Sequence, residues 1–588
     1  MTSGRGTSGP ANLASPPETA RLAAIRRPRP PAATVIAVAA LAALLGLALW
    51  SLLSFGFTAS SFTESLDRVG PFLHRMLPLR FPPAGELAQS IAITLSIVLL
   101  GTAISALISI PIAYISARNT SPRPWLVPVG RAIGVVARAI PDVILAMLFT
   151  LLFSLGALPG ILAIALHSIG MISKMFADAI EQIDEGPRSA VRATGASRAQ
   201  EFWSGVFPQV LPSWVATFLH RSDINLRASV LLGYAGVTGL GYDMWLKLQY
   251  TDYRSAMPIA FVILLLCVAF ELVSTWIRSR MLEAGPIRRG PGARAARASA
   301  AAGSSPHHAA APPSVRPAPG DRGAAIAAAS HRPWTRDRLA AAGGRLAIGV
   351  ILVLAIVGSH AKWLDLVTFW RNVPLVAERA WPPSFGPRTW SMVRGAVLTT
   401  VQIALIATLL SGIMALVLGP LAARNVAPNA AVRGLARGLL LVIRAIPELI
   451  LAIVLIIVSG LGQQAGTIAL AIGGLGLLGK LVADSLEDTP PGPETAVRAA
   501  GSTRLQVFFA ATFRLNIPAF IGHSLYLFDT NLRSATLLGI VGAGGIGYYL
   551  IDASRVSRYD QVTALVAVLI ALVLVVEGIA VLTRRALR

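Results

Sequence analysis

Six polar residues within apolar stretches of this sequence are of a type that could bind an anion. Ionisable groups inside apolar segments of membrane length are costly and rare, which makes them candidates for function. An arginine can donate two parallel hydrogen bonds to one oxyanion, and an asparagine can donate one or two more. The candidate contacts for an anion that passes through the protein are therefore Arg138, Asn225, Arg227, Arg444, Asn531 and Arg533.

A structural role for the same arginines is an open alternative. Asp223 lies four residues before Arg227, and the second copy of this segment repeats the spacing. Side chains four residues apart are neighbours on a helix, so each such pair can neutralise itself. The other two arginines precede Pro141 and Pro447, where a helix would bend. Their long side chains can instead extend to the inner membrane interface.

Few other residues offer chemistry. Cys267 is the only cysteine, which excludes an intramolecular disulfide and a cluster of cysteine ligands. The eight histidines form no grouping typical of a membrane-embedded enzyme. The segment GLGLLGK, ending at Lys480, is similar to a phosphate-binding loop, but Leu481 stands where a Ser or Thr should coordinate magnesium. We therefore expect no ATPase site, no enzymatic activity and no bound cofactor or metal in this chain.

The composition is that of a membrane protein. Of 588 residues, 54% are hydrophobic and only 13% are charged, with a mean hydropathy of +0.66, whereas about a quarter of residues are charged in soluble proteins. Apolar runs of about 20 residues can cross a bilayer as helices. The sequence predicts an all-α polytopic fold with twelve spans, at about 33–54, 88–117, 131–155, 157–177, 209–232, 257–277, 345–361, 396–421, 434–459, 465–483, 515–538 and 562–583.

The net charge of +23 is compatible with a nucleic-acid-binding protein, but its distribution favours another role. The arginines are concentrated in tails and loops between the apolar runs, where they set the orientation in the membrane. Residues 1–32 carry five arginines and residues 278–345 carry twelve. We therefore expect no nucleic-acid partner, and we expect both termini and the central segment on the cytoplasmic side.

The chain divides into two domains joined by a linker. Residues 284–340 are rich in Ala, Pro, Gly and Ser without apolar periodicity, which is typical of a disordered linker. The predicted organisation is a disordered cytoplasmic tail at 1–32, a first domain at 33–283 with its core at 88–280, the linker at 284–340, and a second domain at 341–588 with its core at 395–585.

The two domains are copies of one another. VRATGASRAQEF, starting at Val191, reappears as VRAAGSTRLQVF, starting at Val497, 306 residues later. The same spacing relates the two Arg-Ala-Ile-Pro segments and the two Asn-Leu-Arg segments. The repeats therefore have the same orientation. Because transporters place binding sites between such repeats, we expect a path between the two domains.

The repeated polar segments lie in two long loops, at about 178–208 and 484–514. They are too polar to enter lipid, and Gly195 and Gly501 permit a sharp bend between two short helices. Two matching bent segments on the cytoplasmic side favour a docking role. Plain surface loops are the alternative, although ordinary loops diverge faster than the helices that they connect.

The two loops resemble the cytoplasmic coupling loop of binding-protein-dependent ABC importer permeases. That loop contains Glu-Ala-Ala, a glycine after three more residues, and a proline near its end. Ser189 and Thr495 replace the glutamate, and Arg514 replaces the second proline. The residues that carry the resemblance or adjoin it are Glu185, Ala190, Arg192, Gly195, Pro208, Ala496, Arg498 and Gly501. The resemblance implies that two copies of a separate ATPase subunit, which use ATP and magnesium, bind these loops.

Further motifs resemble the phosphonate branch of these permeases: RATGASRAQ, RAIPD with RAIPE, and NLRASVLLGYAGVTGLGYD with its second copy. The resemblance implies two tandem six-helix halves of the type I (MetI-like) fold, fused in one chain of the bacterial inner membrane. It also implies that a periplasmic or lipid-anchored binding protein delivers a phosphonate or a related phosphorus oxyanion. A permease for another small anion or an amino acid is the alternative within the class. An ion-coupled secondary transporter is the alternative outside it.

Overall fold

The computed structural model describes residues 32–56, 67–283, 336–460 and 462–586. Within these ranges all regular secondary structure is helical, which confirms the predicted all-α polytopic fold. Nearly all of the predicted tail at 1–32 and most of the predicted linker at 284–340 lie outside the described residues. The first helix of the second half begins at Arg336, before the predicted end of the linker.

The helices of the first half extend from the N-terminal region to the start of the linker. They are α1 Ala32–Ser54, α2 Val69–Met76, α3 Ala84–Ser116, α4 Leu126–Ala139, α5 Asp142–Phe153, α6 Ala157–Glu181, α7 Glu185–Ala193, α8 Arg198–Glu201, α9 Phe207–Leu232, α10 Leu240–Gln249 and α11 Tyr253–Glu283.

The helices of the second half follow the same plan. They are α12 Arg336–Gly358, α13 Asp365–Thr368, α14 Val373–Ala380, α15 Trp390–Ala422, α16 Ala430–Ala445, α17 Glu448–Ser459, α18 Gln463–Glu487, α19 Pro491–Ala499, α20 Arg504–Val507, α21 Phe513–Leu538, α22 Ile546–Arg555 and α23 Tyr559–Ala586. The bounds of α15, α18 and α21 are those of α3, α6 and α9 shifted by 306 residues. The repeat seen in the sequence is thus a repeat of the fold.

Fewer helices qualify as membrane spans than the twelve predicted. Seven of the described helices are long and apolar enough to cross a membrane, or up to nine if each of two bent pairs is one span. Helices α1 and α12 contain shorter apolar parts, Val38–Ser54 and Ala342–Gly358. Helix α9 is more polar because it carries Arg221, Asp223 and Arg227.

The predicted spans at 131–155 and 434–459 are each a pair of bent helices. Helices α4 and α5 meet at 79°, and α16 and α17 meet at 81°. The bends occur at Pro141 and Pro447, which directly precede α5 and α17. A proline has no N–H to donate and restricts the residue before it, so the preceding helix ends there.

Each half is built around one pair of closely packed helices, α3 with α6 and α15 with α18. Helices α9 and α21 pack against these pairs. Ile97 of α3, with Ile161 and Ile164 of α6, is almost fully buried. A Cβ atom on Gly101 of α3 would lie 2.7 Å from the Ile164 side chain. The small residue therefore allows the two helices to approach closely.

The two halves exchange their first helices. Helix α1 of the first half packs on α15 and α23 of the second, and α12 of the second half packs on α3 of the first. At the end of α1, the amide of Gln464 donates a hydrogen bond of 2.9 Å to the carbonyl oxygen of Phe55. The halves are therefore interleaved.

The polar loops lie at one end of the bundle, which we call the loop end. Helix α3 ends there. This is shown by the hydrogen bond of 2.9 Å that the backbone N–H of Arg118 donates to Glu181 at the end of α6. Helix α11 starts at the opposite end, where the N–H of Arg80 donates to the carbonyl oxygen of Arg254 (2.9 Å). Helix α11 therefore runs back toward the loop end and finishes at Glu283.

Candidate functional site

The polar loop of each half is a pair of short helices joined by a glycine. Between α7 and α8, Gly195 has a φ of +79°, and between α19 and α20, Gly501 has a φ of +81°. This left-handed conformation favours glycine. Ser197 and Thr503 then start α8 and α20 with capping boxes that involve Gln200 and Gln506. The bend expected from the sequence is present in both loops.

Each loop is held in place by an asparagine that lies three residues after a core helix, α3 in the first half and α15 in the second. Asn119 donates hydrogen bonds to the carbonyl oxygen of Ile180 (2.7 Å) and to Glu185 (3.0 Å). Asn425 donates to the carbonyl oxygen of Leu486 (2.8 Å) and to Glu494 (3.3 Å). The loops are therefore anchored to the helical core by matching asparagines.

The acidic partner of the asparagine differs between the two loops. The position that matches Glu185 is Pro491, and Glu494 occupies the position that matches Arg188. In the first loop Arg188 forms ion pairs with Glu185 (2.9 Å) and Glu201 (2.5 Å). In the second loop Glu494 accepts a hydrogen bond from Thr512 (2.6 Å). The sequence analysis missed Glu494 because it compared the loops at equal positions, whereas the acid has moved by one helical turn.

The remaining predicted coupling residues lie on the surface. Those at exposed positions are Ala190, Arg192, Gly195, Pro208, Ala496, Arg498 and Gly501. Arg192 borders a cavity of about 310 Å³ that lies between the first loop and the end of α3, beside Tyr114, Asn119 and Arg198. Among the described residues neither Arg192 nor Arg498 has an ion-pair partner. The exposed faces of both loops are thus free to contact another molecule.

The two arginines at the helix bends connect the halves to one another. Arg138 pairs with Glu577 of α23, and Arg444 pairs with Glu271 of α11. Glu271 and Glu577 are 306 residues apart, so the two contacts are equivalent and reciprocal. The side chains are 10% and 7% exposed in the pair of Arg444, and 16% and 18% exposed in the pair of Arg138. Both guanidinium groups are therefore held by a carboxylate of the other half.

The other two candidate arginines pair within their own helices. Arg227 donates to Asp223, one turn earlier in α9, and also to the carbonyl oxygen of Arg444 across the interface. Arg533 donates to Asp529 of α21 at 2.6 Å. Each of the four arginines chosen from the sequence therefore has a carboxylate partner, which is the geometry of the structural alternative.

The two candidate asparagines are buried between helices. Asn225 is 1% exposed and donates to the hydroxyls of Thr102 (2.9 Å) and Ser168 (3.1 Å). Asn531 is fully buried and donates to Thr408 (2.9 Å). Asn225 thus links α9 to α3 and α6, and Asn531 links α21 to α15.

One buried arginine was missed by the sequence analysis. Arg221 of α9 is 8% exposed, and its Nε donates to the hydroxyl of Ser168 (3.0 Å). No carboxylate among the described residues lies within ion-pair distance of it. The matching position in the second half is Leu527. A search for charges that occur in both repeats therefore overlooks Arg221, whereas a search for charges that occur in only one would have found it.

The segment GLGLLGK lies inside α18, where it is helical. A phosphate-binding loop needs an irregular backbone whose N–H groups point to the phosphates, and a helix has already used those groups internally. Gly476 instead allows close packing, because a Cβ atom there would lie 3.0 Å from the backbone nitrogen of Arg444. These glycines bring α18 close to the bend that carries Arg444.

Comparisons with known proteins agree with this architecture. The family model described as binding-protein-dependent transport system inner membrane component matches residues 109–283 and 415–588. The phosphate-import permease protein PhnE of Mycolicibacterium smegmatis is 39% identical over 525 residues, which are 89% of each chain. The phosphite transport system permease protein PtxC of Stutzerimonas stutzeri is 34% identical over 220 residues, which are 37% of this chain and 80% of that protein.

A chain of the MetNI methionine ABC transporter, solved in an inward-facing conformation, superimposes with a TM-score of 0.32 and 20% identity. The superposition covers 34% of this chain and 100% of that chain. The two matches to the family model lie in the two halves of the fold, one in each repeat.

Proposed function

The chain belongs to the family of inner membrane components of binding-protein-dependent transport systems, and from this premise we propose that it imports a phosphorus oxyanion. The proposed substrate is a phosphonate, phosphate or phosphite. The relatives named for phosphate import and phosphite transport support this class.

The observation that carries the proposal is the pair of bent loops at one end of the bundle. Both loops expose matching faces while their inner sides are fixed to the core by Asn119 and Asn425. In the proposed mechanism each loop docks on one copy of a separate ATPase subunit in the cytoplasm. A movement of the exposed face would then be transmitted to the membrane-spanning helices, because the asparagine hydrogen bonds restrict movement of each loop relative to the core.

The cycle proposed for the complex is alternating access. ATP binding to the two ATPase subunits would draw the loops together, and hydrolysis would release them. Because the halves are interleaved and joined by reciprocal ion pairs, movement at the loops would tilt one half against the other. Nucleotide and cargo shift the two conformations only through their different affinities for each. A periplasmic or lipid-anchored binding protein would deliver the cargo at the end opposite the loops.

Transport in vesicles tests the substrate. The full chain would be reconstituted with a partner ATPase and a binding protein that stimulates its ATP hydrolysis, and uptake of radiolabelled phosphate, phosphite and methylphosphonate would be measured with and without ATP. We expect ATP-dependent uptake of at least one of the three. Uptake of a different anion or of an amino acid would replace the proposed substrate. Uptake driven by an ion gradient without the ATPase would favour a secondary transporter.

A glycine substitution tests the role of the loops. Proline fixes φ near −65°, so Gly501→Pro cannot keep the φ of +81° and should redirect α20. We expect at least a tenfold loss of uptake, with ATP hydrolysis no longer stimulated by the loaded binding protein. Gly492→Ala is the matched control, because Gly492 lies in the neighbouring helix α19 with open space around it. Normal uptake by the Gly501→Pro variant would contradict the docking role.

A further inference from the structure

Among the described residues, Arg221 is the buried arginine that has no carboxylate within ion-pair distance. It lies in the middle of α9 with 8% of its surface exposed. Its Nε donates to Ser168 at 3.0 Å, but its two terminal nitrogens donate to no described residue. These nitrogens are not among the fully sealed polar atoms of the interior, so they keep some surface that water can contact. The side chain thus presents two free donors from a buried position.

The other buried arginines of the membrane region show how unusual this is. Arg138, Arg227, Arg444 and Arg533 each have a carboxylate within ion-pair distance. An unpaired charge away from water is costly, and the cost falls when an anion enters. Asp142 is the acidic group whose field acts most on Arg221. Its carboxylate already accepts the N–H of Val143 at the start of α5 (2.9 Å), where the helix dipole also stabilises it.

Arg221 lies on α9, a helix that contacts the second half, because Arg227 of the same helix donates to the carbonyl oxygen of Arg444. Tyr526 and Arg533, both on α21 of the second half, are within its electrostatic reach. The second half supplies no equivalent cation, because Leu527 occupies the matching position. His167 is likewise matched by Gly473. The basic residues at these two positions, Arg221 and His167, therefore have no counterpart in the second half.

We propose that Arg221 is a transient binding site for the translocated oxyanion, supplied by the first half only. This inference rests on the proposed import of a phosphorus oxyanion. The two free nitrogens match two oxygens bonded to one phosphorus atom, which a phosphonate, phosphate or phosphite provides. A single guanidinium holds such an anion weakly enough for it to leave toward the loop end. The four paired arginines do not hold the cargo, because each already has a carboxylate partner.

Uptake provides the first test. In the reconstituted complex, Arg221→Leu copies the second half, and we expect uptake of the transported anion to fall about tenfold to a hundredfold, the usual effect of losing a charge-assisted hydrogen bond. Arg221→Lys keeps the charge without the paired donors, and its uptake should lie between that of the unaltered protein and that of Arg221→Leu. Arg394→Leu is the matched control, because Arg394 is an exposed arginine of α15 and its loss should leave uptake unchanged.

Thiol labelling provides a second test that does not depend on transport. Tyr526→Cys places a thiol on α21 within electrostatic reach of Arg221, in a background where buried Cys267 is replaced by alanine. The anionic reagent sulfonatoethyl methanethiosulfonate should react at least about tenfold faster than the cationic trimethylammonioethyl reagent. Addition of Arg221→Leu should bring this ratio close to one. Millimolar inorganic phosphate should slow the labelling only when Arg221 is present.

The two tests separate the site from the substrate. If no phosphorus anion is taken up but the labelling ratio depends on Arg221, the proposed substrate is wrong and the anion site stands. If uptake occurs and neither uptake nor the labelling ratio responds to Arg221→Leu, the site is wrong and the substrate stands. A cysteine at position 526 that reacts with neither reagent also overturns the proposal, because Arg221 would then face no accessible path.

Discussion

The ion pair between Arg444 and Glu271 allows a quantitative test of how the halves are held together. The two side chains are 10% and 7% exposed and belong to different halves. Removal of one member of a buried pair leaves the other charge uncompensated, at a cost of about 3–5 kcal/mol. Replacement of both members by apolar residues of similar size is often neutral or stabilising, by about 1–4 kcal/mol. The double variant should therefore be more stable than either single variant.

The surroundings of the pair refine this expectation. A nitrogen of Arg278 lies 3.7 Å from Glu271, so Glu271 keeps one cation in the Arg444→Met variant. The Arg444→Met variant should therefore lose about 3 kcal/mol of unfolding free energy, near the lower end of the range for a broken buried pair. In Glu271→Leu, the guanidinium of Arg444 loses its only ion-pair partner among the described residues. That variant should lie near the upper end, at about 5 kcal/mol.

The assay is a double-mutant cycle on the purified full chain in mixed micelles. Unfolding by sodium dodecyl sulfate would be followed by tryptophan fluorescence, and the cycle would be repeated with Arg138→Met and Glu577→Leu. The second pair is 16% and 18% exposed, and nearby water screens a charge, so its single variants should cost less. If the unfolding free energy of the double variant is lowered by the sum of the losses in the two single variants, the ion pair does not join the halves and the reasoning fails.

Two further predictions concern packing within each half. Asn225→Leu should lower the midpoint of thermal unfolding more than Asn531→Leu, because Asn225 donates to two hydroxyls and Asn531 to one, each worth about 1 kcal/mol; equal shifts in the two variants would contradict this. Gly547→Ala should sharply reduce the yield of folded protein, since its Cβ would lie 1.8 Å from the carbonyl oxygen of Thr536. Gly578→Ala, in α23 with nothing within 4 Å, should be neutral or slightly stabilising, and a normal yield of the Gly547 variant would contradict the close approach.

The repeat in the sequence predicted the architecture well, because it acts over whole helices. A spacing of 306 residues holds at both ends of α3, α6 and α9 and of their counterparts. The bends at Pro141 and Pro447 followed from the backbone chemistry of proline, which is local. Their size, 79° and 81°, depends on how α5 and α17 pack, and no local rule gives it.

Ion pairs were predictable only where both partners lie on one helix. The spacing of Asp223 and Arg227 indicated their contact directly. The contact between Arg444 and Glu271 joins residues of different halves, and the sequence could not order these helices in space. The same limit applied to Arg221, whose distinguishing property is that no carboxylate among the described residues lies within ion-pair distance of it. That property becomes visible only when every neighbouring carboxylate has been placed.

The differences between the halves indicate what fusion into one chain makes possible. Contacts that join the halves are kept in both copies, as with Arg138–Glu577 and Arg444–Glu271, because both sides of a symmetric movement need the same connection. The proposed anion site occurs once, because Leu527 occupies the position in the second half that matches Arg221. Two identical subunits would place two such arginines along one path, where like charges repel and a doubly held anion would leave slowly. A fused chain can keep the two equivalent ion pairs between its halves and still bind its cargo with a residue of the first half alone.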